Sequence, residues 1–169
     1  MKRLKIVGVM GSGQRGHEDL SLSLGEMLAR LGVHLLTGGG SGVMRSVSKG
    51  FRSVAQRQGL TLGILPGLTG NGAPESPPGY PNDHVELVIR THLPGRGAEG
   101  GTERSRNAIN IATADAVVVL PGGAGTASEA GLAQRFRKPV IGLGGGGEAQ
   151  GVAQAESLEQ IEQFLRAVL

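Results

Sequence analysis

The chain has 169 residues, 38% hydrophobic and 18% charged, a balance that predicts one globular domain with a real core and excludes a disordered chain. Its formal charge of +3 is dispersed and it has one Tyr, three Phe and no Trp, so both the basic block and the stacking aromatics of nucleic-acid binding are missing. Zero cysteines exclude disulfides, thiolate metal sites and a cysteine nucleophile.

The opening MKRLKIVGVMGSG mimics a short signal peptide, but its apolar part is brief and broken by glycine. Leu4 to Met10 therefore reads as a buried strand, with no export and a cytoplasmic location expected. A helix capped by Asp19 or Ser21 follows, with Leu20, Leu24, Met27, Leu28 and Leu31 at helical spacing and Gly32 at its end. Val33 to Thr37 is a second strand, closed by GGGSG. The next helix is predicted from Val43 to Gln58, with Gly59 as its stop, and Leu60 to Leu65 is a third strand. Residues 67–83 form a Gly/Pro loop too long for a plain connector, the kind that carries function. Val85 to Thr91 is a fourth strand, followed by the glycine-rich HLPGRGAEGGT. Glu103 to Thr113 is a predicted helix, Ala116 to Leu120 a strand, Gly125 to Phe136 a helix and Val140 to Leu143 a strand. After GGGGEAQG, a capped helix from Ser157 to Val168 ends the pattern. No apolar run reaches the roughly 18 residues of a membrane span.

This alternation predicts an α/β fold, a doubly wound and mostly parallel sheet with helices on both faces. In such folds ligands bind outside the carboxyl ends of the strands. The 31 glycines, against roughly 12 expected at average usage, cluster there: GVMGSG, LLTGGGSG and VVLPGGAG each close a strand.

GSGQRG, residues 11–16, matches the dinucleotide pattern G-x-G-x-x-G. The next strand ends without the acid that would hold ribose hydroxyls, which argues against NAD. Gly11, Ser12, Gly13 and Gln14 remain candidates to contact a phosphate at a helix entrance. In PGGAGT, Pro121 ends a strand, Gly122 and Gly123 permit positive φ and close approach, and Gly125 and Thr126 open a helix whose free N–H groups suit an anion. Gly38, Gly39, Gly40, Ser41 and Gly42 offer the same arrangement before the second helix. Glu129, one turn further on, either stabilises a sugar cation and orients water in N-glycosidic cleavage or forms a capping box with Thr126. Arg104 and Arg106, two apart on a predicted helix, point about 200° apart, so only one faces the crevice. The histidines at 17, 34, 84 and 92 have no metal-ligand spacing, and no metal is expected.

Through TGGGSGVM (37–44), RN (106–107) and PGGAGTASE (121–129), the chain resembles a Rossmann-like superfamily. It includes the LOG ("Lonely Guy") cytokinin-riboside-monophosphate phosphoribohydrolases and the molybdenum-cofactor carrier-like proteins, and its members have often been labelled lysine decarboxylases. The resemblance covers nearly the whole chain and implies a homodimer or higher homo-oligomer. It selects Arg106 over Arg104 and adds Asn107 as a ligand contact. The LOG pattern pairs Arg-Lys with P-G-G-x-G-T-x-E-E. Here Asn107 replaces the lysine and Ser128 the first glutamate, while Glu129 matches the second, which is closer to the carrier-like branch. Decarboxylation through pyridoxal phosphate needs a Schiff-base lysine. Lys2, Lys5, Lys49 and Lys138 are the only lysines, and none lies in a cofactor motif.

The expected function is binding of a small phosphorylated, nucleotide-like ligand, with no cofactor required and with phosphate, AMP or molybdenum cofactor as candidate occupants. In its catalytic form Arg106 positions a nucleoside 5′-monophosphate and Glu129 assists its hydrolysis to base and ribose 5-phosphate. The alternative is a non-catalytic carrier of molybdenum cofactor or a related phosphorylated cofactor. A DNA-processing role is a third class, disfavoured by composition.

Overall fold

The computed structural model describes residues 3–68, 75–102 and 104–169. Part of the long loop (69–74), the expected helix start at Glu103 and Lys2 thus lie outside the described residues. The strands are β1 (Ile6–Met10), β2 (His34–Thr37), β3 (Thr61–Leu65), β4 (Leu87–Arg90), β5 (Ala116–Val119), β6 (Val140–Leu143) and β7 (Gln154–Ala155). The helices are α1 (Glu18–Leu31), α2 (Val43–Ser53), α3 (Asn107–Thr113), α4 (Ala124–Arg135) and α5 (Leu158–Val168).

All seven strands pair in parallel, in the order β4-β3-β2-β1-β5-β6-β7. The chain winds outward from β1 on one side and from β5 on the other, so the order reverses between these two strands. This is the doubly wound, Rossmann-like architecture, and the reversal fixes where a crevice opens. Alternate side chains of each strand feed opposite faces. Val7, Val9 and Val118 pack with Leu24 and Leu28 of α1, Val47 and Phe51 of α2, and Ile161 and Leu165 of α5. Met10, Val117 and Val119 pack with Ile111 of α3 and Ala130 and Ala133 of α4. β4 departs from the expectation of doubly covered strands. It is the sheet edge, and Leu87, Val88 and Ile89 are all exposed.

Several boundaries differ from the sequence expectation for identifiable reasons. α1 starts after His17, which sits at φ 43 and makes no side-chain cap; Ser21 instead donates its hydroxyl to the Gly16 carbonyl at 2.5 Å. α2 ends at Ser53, not Gln58. There Arg57 turns back to bond the Val54 carbonyl and pairs with Glu86 beside β4, and that tertiary anchor outweighs local helix propensity. α3 starts four residues late because residues 97–101 form a 3-10 turn and Gly95 bridges to Ser105. Arg104 and Arg106 therefore both precede the helix, and Arg106 is its N-cap residue. Lys138 has a structural position: its Nζ donates to the Ala112 and Ala114 carbonyls at 2.8 and 2.7 Å, closing the C-terminus of α3.

Gly42, the N-cap of α2, has φ 62 and ψ −133, and a Cβ there would run into the backbone of Ser12 and Gly13. Gly42→Ala is expected to cost about 2 kcal/mol of stability, measured by urea unfolding. An unchanged midpoint would show that the two loops can separate freely.

Candidate functional site

Three strand ends meet at the switch between β1 and β5, and Ser12 ties them together. Its N–H donates to the Pro121 carbonyl after β5 at 3.0 Å, and its carbonyl accepts from Val43 N–H at the start of α2 at 2.8 Å. Its hydroxyl accepts from the N–H groups of Gln14 and Arg15 at 3.1 and 3.0 Å. Above this knot lies a cleft of about 350 Å³, within the usual size range for a small-molecule site.

The cleft brings together Gly11, Ser12, Gly13, Gln14, Gly38, Arg106, Asn107, Gly123, Gly125, Thr126 and Glu129. It does not include Gly39, Gly40, Ser41, Gly42, Pro121 or Gly122. The 38–42 loop has another task. Asn82 N–H and Nδ2 donate to the Gly39 and Gly40 carbonyls, both at 2.8 Å, and a Cβ at Gly40 would meet the Tyr80 ring. Two of the loop's N–H groups are already engaged: Gly39 donates to Thr37 Oγ1 and Gly40 to Met44 Sδ. It thus serves as a floor on which the Tyr80 segment docks. Tyr80 and Arg96, from the two long loops, complete the cleft wall. Loop length was the only sequence signal for them, and it does not single out a residue.

The start of α4 is different. Among the described residues, nothing accepts from the N–H groups of Ala124, Gly125 or Thr126, and no side chain caps the helix. Gly123, its N-cap, has φ −99, so the positive φ expected for this turn is not used. Thr126 is the third helical residue, so it cannot form a capping box with Glu129. Ser128 donates its hydroxyl to the Ala124 carbonyl at 2.9 Å.

Beneath lies a buried polar cluster. Arg106, Asn107, Asn110 and Glu129 are 6%, 3%, 0% and 7% exposed. Arg106 Nη1 donates to Asn107 Oδ1 and lies 3.6 Å from Glu129 Oε1, an ion pair longer than a hydrogen bond. Burial pushes the Glu129 carboxyl up to about 7, against the opposing pull of the Arg106 charge and the Asn110 amide. Asn110 is close enough to exert that pull, yet neither of its amide atoms makes a hydrogen bond of ordinary geometry, and Arg106 Nε is also unpartnered. Buried polar groups are normally satisfied, so a floor with unmet demand points to a polar occupant or ordered water. No cluster of three metal-ligating side chains occurs among the described residues, and no described helix is long and apolar enough to cross a membrane.

Gly38 sets the position of Arg106. A methyl at 38 would land on the guanidinium, with Met44 Sδ at 3.0 Å leaving no room to yield. Gly38→Ala is expected to displace Arg106 and lower ligand affinity about tenfold, with a smaller change in melting temperature. Calorimetry on the variant checks this; unchanged affinity would mean that Arg106 tolerates the shift.

Comparison with known proteins agrees with this fold. The molybdenum cofactor binding protein of Rippkaea orientalis superposes with a TM-score of 0.77 at 32% identity, covering 99% of both chains. The molybdenum cofactor carrier protein of Chlamydomonas reinhardtii superposes with a TM-score of 0.70 at 30% identity, covering 97% of this chain and 99% of that one. An uncharacterised protein of Archaeoglobus fulgidus is 30% identical over 143 residues, 83% of this chain and 81% of its own. A family model described as the SLOG cluster4 family matches residues 4–167. The chain belongs to the SLOG cluster4 family.

Proposed function

We propose that this protein binds and carries a phosphorylated, anionic cofactor of the molybdenum-cofactor type without transforming it. The observation that carries this reading is one cleft holding the open N-terminus of α4 opposite two arginines, in a chain 32% identical to a molybdenum cofactor binding protein. The unpaired N–H groups and helix dipole receive a phosphate, while Arg96 and Arg106 supply the counter-charge. Asn107, Thr126 and the loop at Gly11 and Ser12 fix orientation by hydrogen bonds. Glu129 is the only carboxylate that lines the cleft among the described residues. It lies deep beside Arg106, and Ser128 has its hydroxyl bound to the helix backbone. A single, partly protonated acid suits holding a polyanion better than cleaving it.

Calorimetric titration with molybdenum cofactor is expected to give tight binding. Incubation with AMP is expected to release no more adenine than a Glu129→Ala control. Sustained base release by the native protein would overturn the carrier reading in favour of hydrolysis.

A further inference from the structure

A second groove of about 240 Å³ adjoins the cleft. The two share Gly123 and Thr126 as walls; the far wall of the second is the segment after β6, from Gly145 to Gln150. Their charge balance differs. The cleft has Arg96 and Arg106 against one carboxylate, Glu129, whereas Glu148 is the only charged residue of the groove among the described residues. Glu148 is exposed, opens a 3-10 turn between Gly147 and Gly151, both at positive φ, and its carboxylate has no partner among the described residues.

Gly123 lies at the junction. Its backbone, at φ −99 and ψ −149, is neither helical nor extended, but a Cβ there would meet nothing within 4 Å. No neighbouring atom therefore requires glycine at this position, in contrast to Gly38 or Gly42. With no side chain at 123, nothing from this position stands between cleft and groove, which leaves room for a passage.

We propose that the bound ligand spans this passage, with its phosphate at α4 and a flat heterocycle in the second groove, where Glu148 accepts from adjacent ring N–H and exocyclic NH₂ donors. A second anionic group would be repelled there, so the groove selects a donor edge. A 2-amino-4-oxopyrimidine edge supplies two donors at the spacing of a carboxylate, and it is shared by pterins and guanine. This inference rests on the carrier reading above and names the part of the ligand that the second groove recognises.

The test titrates the native protein, Glu148→Gln and Gly123→Val with molybdenum cofactor, GMP and IMP, IMP lacking the 2-amino group. Glu148→Gln is expected to leave the melting temperature unchanged, since the Glu148 carboxylate has no partner among the described residues; Gly123→Val is expected to lower it modestly, since valine is a poor N-cap residue. The native protein is expected to prefer GMP to IMP. Glu148→Gln is expected to weaken cofactor and GMP about tenfold and to weaken IMP, which keeps only the ring N–H donor, by less. Gly123→Val is expected to weaken all three. Full-strength cofactor binding by Glu148→Gln overturns the groove assignment while leaving the carrier reading intact. If the native protein binds no cofactor, the carrier reading falls, and the groove assignment then stands or falls on a Glu148-dependent preference for GMP. Equal binding of GMP and IMP overturns it.

Discussion

Replacing Arg106 with alanine is expected to weaken cofactor binding about 100-fold, the loss of two charged hydrogen bonds. Arg106 is 6% exposed, held at the N-cap of α3 by Asn107 and seated against Gly38. Its Nε is buried without a protein partner, and the residue lines the cleft. Arg106→Lys is expected to recover only a small part of the affinity, because a point charge cannot reproduce the planar fork. The fold is less sensitive. Without the guanidinium, Glu129 takes up a proton more readily instead of remaining as a bare buried charge. Calorimetry and thermal unfolding on the same samples separate the two effects. Undiminished cofactor binding by the alanine variant would remove Arg106 from the site.

The second large effect concerns pH. Glu129 titrates near 7 in the fold, against an ordinary value of 4.5. Between those values the folded chain holds a proton that the unfolded chain has released, so Glu129's contribution to stability is complete below about pH 4.5 and falls as pH rises through 7. A shift of this size corresponds to about 3 kcal/mol. Glu129→Gln mimics the neutral acid and removes this slope. The variant is expected to match the native protein at pH 4.5 and to exceed it by about 3 kcal/mol at pH 8.5. His84 acts in the opposite sense, since burial and nearby arginines hold it below its ordinary value. Subtracting the two denaturation profiles cancels that contribution and isolates Glu129. Parallel profiles would show that the carboxyl is ionised throughout at no cost.

Much of this site could be read from the sequence, and the exceptions share a cause. PGGAGT placed a helix start after a buried strand, which is a local property of strand, turn and dipole. The choice of Arg106 followed from the resemblance and not from spacing. Helical geometry was the wrong ground for expecting only one of Arg104 and Arg106 to face the crevice, since both precede α3; Arg106 lines the cleft beside Gly38, over sixty residues away. GGGSG looked like a second anion loop because its composition matches one, but the Gly39 and Gly40 N–H groups are bound to Thr37 and Met44, and the Gly39 and Gly40 carbonyls hold Asn82. The exposure of β4 was equally illegible, because an edge strand and a central strand differ only in neighbours. Tyr80 and Arg96 enter the cleft from loops whose path depends on tertiary contacts.

The knot at Ser12 has a kinetic consequence. Backbone bonds from this one residue fasten the loops after β1 and β5 and the start of α2 to each other, so three walls of the cleft form one rigid piece before any ligand arrives. Little conformational freedom is then left to lose on association, and residence time is governed by how quickly the anion leaves a preset cradle. On the carrier reading proposed above, release is then tuned through the ligand's own contacts with this cradle.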